Sequence, residues 1–419
     1  MISLDTLAAT EAASLLARLA ARPGISAGDA AVTDITRLCG CLPLAIAMIA
    51  SQLRHHPARS TARLAAELAA AKDKLAVMRA ENLSVAAAFG LSYADLTADA
   101  QRLFRRLGLL PGPSIDAYAA AALAGTSLDE AGRCLEELYE QHLLAEPAPG
   151  RYQLNDLVRE HARALATADD PADRDAATSR LLDYYLHTAL AADRHIPTWD
   201  TAYRSQPLVR QPAASPDLST IARAAAWLEA ERPNLHAAVD HAAASGRTLH
   251  AVQIPAAMGG FLVERGHWDQ AAALHETALT AAGHAGDRSG QASTLHDLGT
   301  LRTLSGDWPT AVGYMAQAVA LCRDIGDQVD QAYALCQLAV VQFWSGGYPA
   351  AADSQEQALA LARGSGDQRA EACALQSLGF TQQAAGNYHA SAANLGAALD
   401  LYRNLSGHDQ RVPCERHHS

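Results

Sequence analysis

A spacing of 40 residues runs through the second half of the chain and constrains its fold more than any other feature. Aromatic residues, glycines and alanines each recur at this spacing. Self-similarity at a fixed period is typical of an array of repeated units, each of which buries its apolar face against its neighbours. The recurring positions are Trp268, Trp308, Tyr348 and Tyr388; Gly266, Gly306, Gly346 and Gly386; and Ala278, Ala318, Ala358 and Ala398.

Each unit has the pattern of two helices joined by a short turn. Leu295 and Leu298 are spaced to lie on one helical face, which predicts an apolar stripe. The small residues Gly299 and Ala311 allow two helices to approach closely. Gly306 supplies the backbone freedom that a turn between them requires. The second half of the chain is therefore predicted to be a row of helical hairpins.

The positions within one unit resemble the consensus of the tetratricopeptide repeat. The usual period of that family is about 34 residues, so this unit is longer, and we expect the extra residues to lie around the Gly-Asp pairs such as Gly286-Asp287. The resemblance implies an array over residues 251–405, followed by a polar tail at 406–419. Its four hairpins are expected at 251–283, 291–323, 331–363 and 371–403. The matching positions are Leu295, Leu298, Gly299, Gly306, Trp308, Ala311, Met315 and Ala318.

In such arrays the first helix of each hairpin lines the concave side, which predicts a groove for a protein or a peptide. The expected groove is aromatic and polar, and it lacks the lysines that would grip an acidic tail. The alternative is that some of these residues only pack between hairpins. The predicted groove residues are His296, Thr300, Tyr333, Val340, Phe343, Gln376, Phe380 and Gln383, and the same register includes Ser293, Thr303, Cys336 and Cys373.

Residues 40–45 read Gly-Cys-Leu-Pro-Leu-Ala. A helix is predicted to end at Gly40 and another to begin at Pro43, since proline is tolerated in the first turn of a helix. The string resembles the GLPLA motif of NB-ARC domains, the nucleotide switches of the STAND class of signal-transduction ATPases. The resemblance implies that residues 1–88 are a helical remnant of that module and that Pro43 lies against the nucleotide.

Residues 91–96 and 100–111, with 138–163, resemble the winged-helix domain of bacterial NB-ARC regulators. Two short strands are predicted at 143–146 and 151–154, around a Pro-Gly turn. The resemblance implies a winged-helix domain over 89–168.

In the NB-ARC family a Met-His-Asp motif at the end of this domain contacts ADP. Here the matching residues are Leu154, Asn155 and Asp156. The aspartate is present, whereas Asn155 can donate a hydrogen bond but cannot carry the charge of a histidine. The resemblance therefore implies ADP contacts from Pro43, Asn155 and Asp156. The alternative is that Asn155 and Asp156 only cap the following helix.

The candidate recognition helix of the winged-helix domain, residues 128–143, is acidic, and the chain has a formal net charge of −12. Such a face is repelled by the phosphates of DNA, so we expect no direct DNA contact. Against one basic residue, Arg133, the helix carries Asp129, Glu130, Glu136, Glu137 and Glu140.

Residues 169–250 are predicted to form a helical linker. Within it, residues 227–235 resemble the segment before the repeats in antibiotic-regulatory proteins of actinobacteria. The order of the regions in the chain is similar to that group. The fold class is thus mainly α, with a helical subdomain and a winged helix followed by a tetratricopeptide-type α-solenoid.

No phosphate-binding loop of the form Gly-x-x-x-x-Gly-Lys-Ser/Thr occurs, and no hydrolase motif is present. We therefore expect no enzyme activity and no cofactor in this chain alone, and ADP or ATP binding only with an upstream nucleotide core. The chain begins where such a core would end, which suggests a fragment, a truncated reading frame or a degenerate relative.

The seven cysteines are scattered and form no Cys-x-x-Cys pair, so neither a disulfide framework nor a metal site is expected. No signal peptide or membrane span is evident, which favours the cytoplasm.

The leading hypothesis is a non-catalytic sensor and lever of a STAND-type regulator. Its repeats would bind a protein or peptide and act on an ADP-binding switch that controls transcription. An oligomer that forms on ligand binding is compatible with it. The alternative is a free-standing tetratricopeptide scaffold without a nucleotide switch. ADP affinity through Pro43 and Asp156 would favour the first.

Overall fold

The computed structural model describes residues 7–56, 58–74, 83–196 and 210–409. This part of the chain contains 19 helices and one two-stranded sheet, which confirms the mainly α fold class. It divides into two compact units. The first contains the described residues up to His187 together with 210–216, and the second contains 188–196 and 217–409.

The first unit begins with a cluster of four helices. Leu16, Ile35, Ile49 and Leu53 are fully buried in its core. As predicted, a turn separates two helices at residues 39–42, and Pro43 is the first residue of the second. The four helices are α1 (Ala9–Ala20), α2 (Ala30–Leu38), α3 (Pro43–His55) and α4 (Thr61–Lys74).

The rest of the first unit consists of helices around a small antiparallel hairpin. The predicted strands are present as β1 (Ala145–Ala148) and β2 (Arg151–Gln153), and a single bridge adds Ile115 beside Tyr152. One helix, α5, runs through the predicted domain boundary at residues 88 and 89. The helices are α5 (Leu83–Ala94), α6 (Ala98–Leu107), α7 (Ala117–Ala124), α8 (Leu128–Glu140) and α9 (Asp156–Ala166).

Gly108, at the end of α6, marks a close approach within the first unit. A β-carbon at this position would lie 2.5 Å from the backbone nitrogen of Arg163 and 2.6 Å from the carbonyl carbon of Ala162. Both atoms belong to α9, so only glycine allows α6 and α9 to pack at this distance.

The helix α10 (Pro171–Asp193) runs from the first unit into the second. It is followed in the second unit by α11 (Ile221–Ala244) and by four helical hairpins. The hairpins are α12 (Thr248–Glu264) with α13 (Trp268–Ala285), α14 (Arg288–Leu304) with α15 (Trp308–Ile325), α16 (Gln328–Trp344) with α17 (Tyr348–Ser365), and α18 (Gln368–Ala384) with α19 (Tyr388–Asp409).

The extra residues of each repeat lengthen the helices, whereas we expected them near the Gly-Asp pairs. Each Gly-Asp pair is the whole connection between two hairpins. Gly326 ends α15 in the left-handed conformation (φ +84°), and the side chain of Asp327 caps α16. Because the connection is only these two residues, the helices α12 to α18 are all 17 or 18 residues long.

The repeat register extends into the predicted linker. Gly246, 40 residues before Gly286, also has a positive φ of 70°. The buried residues Ala238 and Ala242 of α11 precede Ala278 and Ala282 by the same interval. The second half of α11 therefore occupies the position of a second repeat helix.

Small residues hold the two helices of a hairpin close together, as the sequence predicted. A β-carbon at Gly299 on α14 would lie 2.9 Å from the side chain of Met315 on α15. Two repeats later, a β-carbon at Gly379 would lie 2.7 Å from Leu395.

Among the residues that the structure describes, no helix has the length and apolar character needed to span a bilayer.

Candidate functional site

The predicted groove residues lie on α14, α16 and α18, the first helices of three successive hairpins, and we call this set the groove face. Its side chains differ in exposure. Phe380 is 55% exposed, Gln383 is also exposed, and Val340 and Phe343 are partly exposed. Tyr333, by contrast, is only 5% exposed. The remaining members, which are partly exposed, are His296, Thr300 and Gln376.

Phe343 belongs to an aromatic cluster at the turn of the third hairpin. Its ring centroid lies 5.7 Å from that of Trp344 and 5.2 Å from that of Tyr348, both in edge-to-face geometry. Trp344 is 64% exposed and Tyr348 is 58% exposed. Tyr348 was predicted as a repeat position, whereas Trp344 was not predicted to be functional. The close spacing of the aromatic residues Phe343, Trp344 and Tyr348 in the sequence could have indicated this cluster. The cluster offers apolar area with little conformational entropy to lose on binding.

Tyr333 packs inside the array and does not face a groove. It is buried with Ala362 and Ala370, and burial is the main cause that raises the pKa of its hydroxyl. Cys336, one turn further along α16, is also buried, and its thiol is hydrogen-bonded to that of Cys373 on α18. This contact and burial raise the pKa of Cys336. Tyr333 and Cys336 are thus packed between helices, since residues of α17 and α18 cover them.

Buried polar pairs join successive hairpins at one register position. Nδ1 of His275 lies 3.6 Å from Oδ2 of Asp297, between the first and second hairpins. Two repeats later, Nε2 of Gln355 donates to the carbonyl oxygen of Ser377 at 3.2 Å and to its Oγ at 3.3 Å. All four side chains are almost fully buried. These buried pairs were not predicted from the sequence, since the residue type at this position changes from repeat to repeat.

The residues that resemble ADP contacts lie in two places in the first unit. Pro43 lines an open cavity of about 460 Å³ beside α1. Asn155 and Asp156 are exposed and are not among the residues that line this cavity. Oδ1 of Asn155 accepts a hydrogen bond of 3.0 Å from the backbone nitrogen of Leu157 and so caps α9. The other residues around the cavity are Leu7, Thr10, Glu11, Ser14, Leu15 and Arg18.

His161 on α9 is largely buried. Its ring lies 5.7 Å from that of Phe89 and 6.2 Å from that of Phe104. Burial lowers the pKa of His161 to about 4, because the charged imidazolium is poorly solvated there. The helices α5 and α6 cover this face of α9.

Several acids of α8 hold the local structure. The carboxylate of Glu137 accepts hydrogen bonds of 2.7 Å from the backbone nitrogen and the hydroxyl of Thr97. Glu130 forms a capping box with Ser127. Within the described ranges, no three histidine, cysteine, aspartate or glutamate side chains are placed to hold a metal ion.

Residues 251–324 match the family model of the tetratricopeptide repeat. The Regulatory protein AfsR of Streptomyces coelicolor (strain ATCC BAA-471 / A3(2) / M145) is 35% identical over 261 residues, which cover 61% of this chain and 26% of that protein. The Regulatory protein AfsR of Streptomyces griseus is 40% identical over 191 residues, or 45% of this chain and 20% of that protein. Residues 251–324 are thus a tetratricopeptide-repeat region, and the chain is similar to part of the AfsR regulatory proteins. The matched regions span about a quarter and a fifth of the length of these two relatives.

Two solved structures resemble the chain over most of its length at low identity. One is the STAND protein PH0952 of Pyrococcus horikoshii, which has a tetratricopeptide repeat sensor. It is 13% identical, with a TM-score of 0.35, over 97% of this chain and 61% of that one. The other, a Rap protein in complex with competence and sporulation factor, is 12% identical, with a TM-score of 0.34, over 95% and 99% of the two chains. Likeness at this level does not establish a shared overall fold.

Proposed function

We propose that the chain is the sensor and lever portion of a cytoplasmic STAND-type regulator and that its repeats bind a protein or a peptide. The match to the tetratricopeptide repeat and the relation to AfsR regulatory proteins support this role. In this proposal the chain carries out no chemistry of its own.

The observation that carries the proposal is the exposed aromatic surface of the array. Phe380 belongs to the groove face and is mostly exposed, and Phe343 packs against two further exposed aromatic side chains. None of the residues of the groove face is an aspartate, glutamate, lysine or arginine. Such a surface favours a peptide whose apolar side chains anchor it and whose backbone pairs with glutamine and threonine side chains.

The nucleotide switch is the second part of the proposal. A winged-helix domain at 89–168 would transmit the binding event to an ADP site that includes Pro43, Asn155 and Asp156, and the output would be the control of transcription. The resemblance of residues 40–45 and 154–156 to NB-ARC motifs supports this. Pro43 and Asn155 do not line the same cavity. In this proposal a nucleotide core would therefore have to lie between them.

Peptide binding tests the first part. The full chain would be screened against an arrayed library of short peptides, and the affinity of each hit measured by fluorescence anisotropy. We expect Phe343→Ala and Phe380→Ala each to weaken binding by about tenfold, the effect of losing a buried aromatic anchor. Leu399→Ala, a change at an exposed apolar residue of α19, is the matched control. Equal affinity of all variants would refute the groove assignment.

ADP binding separates the switch from the alternative of a scaffold without one. We expect ADP to bind the chain weakly, with a loss of affinity in Asn155→Ala and Pro43→Ala. Calorimetric titration measures both. Peptide binding without any ADP affinity would instead favour the scaffold function.

A further inference from the structure

A cavity lined by arginines lies in the first unit, between α6 and the start of α10. Its volume is about 300 Å³. Four arginines and two aspartates form its wall, in a chain whose net charge is −12. It shares no lining residue with the cavity beside Pro43. We call it the guanidinium cavity, and its residues are Arg102, Arg105, Arg106, Asp169, Asp173 and Arg174.

Two of these arginines are committed to the fold. Nε of Arg105 donates to both carboxylate oxygens of Asp169, at 2.8 and 2.9 Å, and Nη1 donates to the hydroxyl of Tyr93 at 2.6 Å. Nη1 of Arg106 donates to the carbonyl oxygen of Ala124, at the end of α7. These contacts hold α6 in place and leave the positive charge of Arg106 without a carboxylate partner.

The other two arginines have donors to spare. Arg174 lines the cavity, and its guanidinium forms no hydrogen bond or ion pair with any described residue, although its Nε itself is buried. Arg102 is exposed and forms no ion pair with any described residue. The cavity thus presents unused guanidinium donors from both α6 and α10.

Positive charge around the cavity is only partly balanced. Burial, and then repulsion from Arg180 and Arg102, lower the pKa of Arg106. Burial, and then repulsion from Arg210, likewise lower that of Arg180. The carboxylates of Asp169 and Asp173 oppose this effect without cancelling it. A bound anion would relieve this repulsion.

We propose that the guanidinium cavity binds a small anion with two phosphoryl groups, either free pyrophosphate or the diphosphate of a nucleotide. Guanidinium groups bind phosphoryl oxygens through paired, charge-assisted hydrogen bonds. The volume is about ten times the roughly 30 Å³ that one water occupies in the liquid, which leaves room for a diphosphate. An anion held between Arg102 and Arg174 would join α6 to α10.

Calorimetric titration of the full chain with pyrophosphate at low ionic strength tests the proposal. The test variant combines Arg102→Gln with Arg174→Gln. Its control is Arg133→Gln, which removes one like charge from an exposed position on α8, outside the cavity. We expect saturable binding by the wild type, a loss of at least about tenfold in the double variant, as for removal of charge-assisted hydrogen bonds, and little change in the control.

Two results would overturn the proposal: no saturable pyrophosphate binding by the wild type, or an equal loss in Arg133→Gln. Circular dichroism checks that the double variant is folded. If it is not, Arg102→Gln alone, at an exposed residue, takes its place and must still weaken binding.

Titration with ADP identifies the source of the anion. Binding of ADP tighter than that of pyrophosphate, and lost in the double variant, assigns a nucleotide. ADP binding that the double variant leaves unchanged, while pyrophosphate binding is lost, assigns the free anion. Because Pro43 and Asn155 lie outside the cavity, the outcome is independent of the proposed switch.

Discussion

The two units of this protein differ in how far along the sequence the contacts at their helix ends and loops reach. In the repeats, the groups that end one helix and begin the next are neighbours in the chain, as with Gly326 and Asp327. In the first unit, carbonyl groups at the end of α7 and in the loop after α6 accept hydrogen bonds from arginines far away in sequence. Arg159 donates to the carbonyl oxygens of Leu110 and Gly112, both at 3.0 Å.

Two regions that are equally helical can therefore depend on contacts between residues that are near in the sequence or far apart in it. A repeat needs only its own turn residues and the packing of the next hairpin. The first unit has local caps too, such as Ser127 for α8 and Asn155 for α9, but it adds contacts between residues far apart in the sequence. Arg180 of α10, for example, donates to the carbonyl oxygens of Ala122 and Leu123 at the end of α7. Substitutions in the first unit should therefore have larger and less local effects.

The two units can be followed separately in the full chain. All five tryptophans lie after residue 187, so tryptophan fluorescence reports on the second unit. Far-ultraviolet circular dichroism reports on the helices of both. A change confined to the first unit should alter the denaturation curve by circular dichroism and leave the fluorescence curve in place.

The largest effect is expected for Gly108→Ala. The added β-carbon would overlap backbone atoms of α9, which cannot move aside as a side chain can. We expect a loss of about 3 kcal/mol in the free energy of unfolding of the first unit, the upper range for overpacking. Urea denaturation followed by circular dichroism measures it. Gly132→Ala on α8, where a β-carbon would meet nothing within 4 Å, is the control and should be neutral or stabilising.

The same substitution in the repeats should cost less, which sharpens the comparison. At Gly299 a β-carbon would meet only the flexible side chain of Met315, and the next repeat already has Ala339 at this position. Gly299→Ala should therefore lower stability by about 1 kcal/mol, visible by tryptophan fluorescence. A loss as large as that of Gly108→Ala would contradict the distinction.

Acid should destabilise the first unit through His161. In the fold its pKa is about 4, whereas the ordinary value is 6.5, so between these pH values the unfolded chain binds the proton and the folded chain does not. The contribution of the neutral His161 side chain to the free energy of unfolding is therefore complete above pH 6.5 and is lost as the pH falls toward 4. The loss is of order 2 kcal/mol. His161→Leu should flatten this dependence in urea titrations at several pH values. His284→Leu, at an exposed residue of α13, should not.

Removal of a contact that is distant in the sequence should cost more than removal of a local helix cap. Arg159→Ala leaves the carbonyl groups of Leu110, Gly112 and Pro113 without their donor, which we expect to lower the free energy of unfolding by about 2 kcal/mol. Arg159→Lys should restore only part of this loss, because a single ammonium group lacks the planar fork of the guanidinium. Circular dichroism in urea measures both.

An effect as small as that of Gly299→Ala is expected for Asp327→Ala, which removes the side-chain acceptor for the backbone nitrogens of Val329 and Asp330. The loss should be about 1 kcal/mol, detected by tryptophan fluorescence. If Asp327→Ala were more damaging than Arg159→Ala, local caps would dominate in both units, and the comparison would fail.

Much of the fold was predictable, and less of the candidate site. The helical hairpins, the turn at residues 39–42 and the strand pair at 145–153 follow from spacing and turn residues, which act over a few positions. The burial of Tyr333 could not be predicted from the sequence. Its position along α16 is the same whether or not a neighbouring helix covers its side chain.

The sequence by itself determined the repeat, its period and its helix ends, because apolar spacing, a glycine with positive φ and a capping aspartate act within one or two turns of helix. Only the tertiary structure decided which residues of α14, α16 and α18 remain exposed. It alone decided which polar residues pair between hairpins and that arginines of α6 and α10 share a cavity. These outcomes depend on side chains that are distant in the chain and meet only when helices pack.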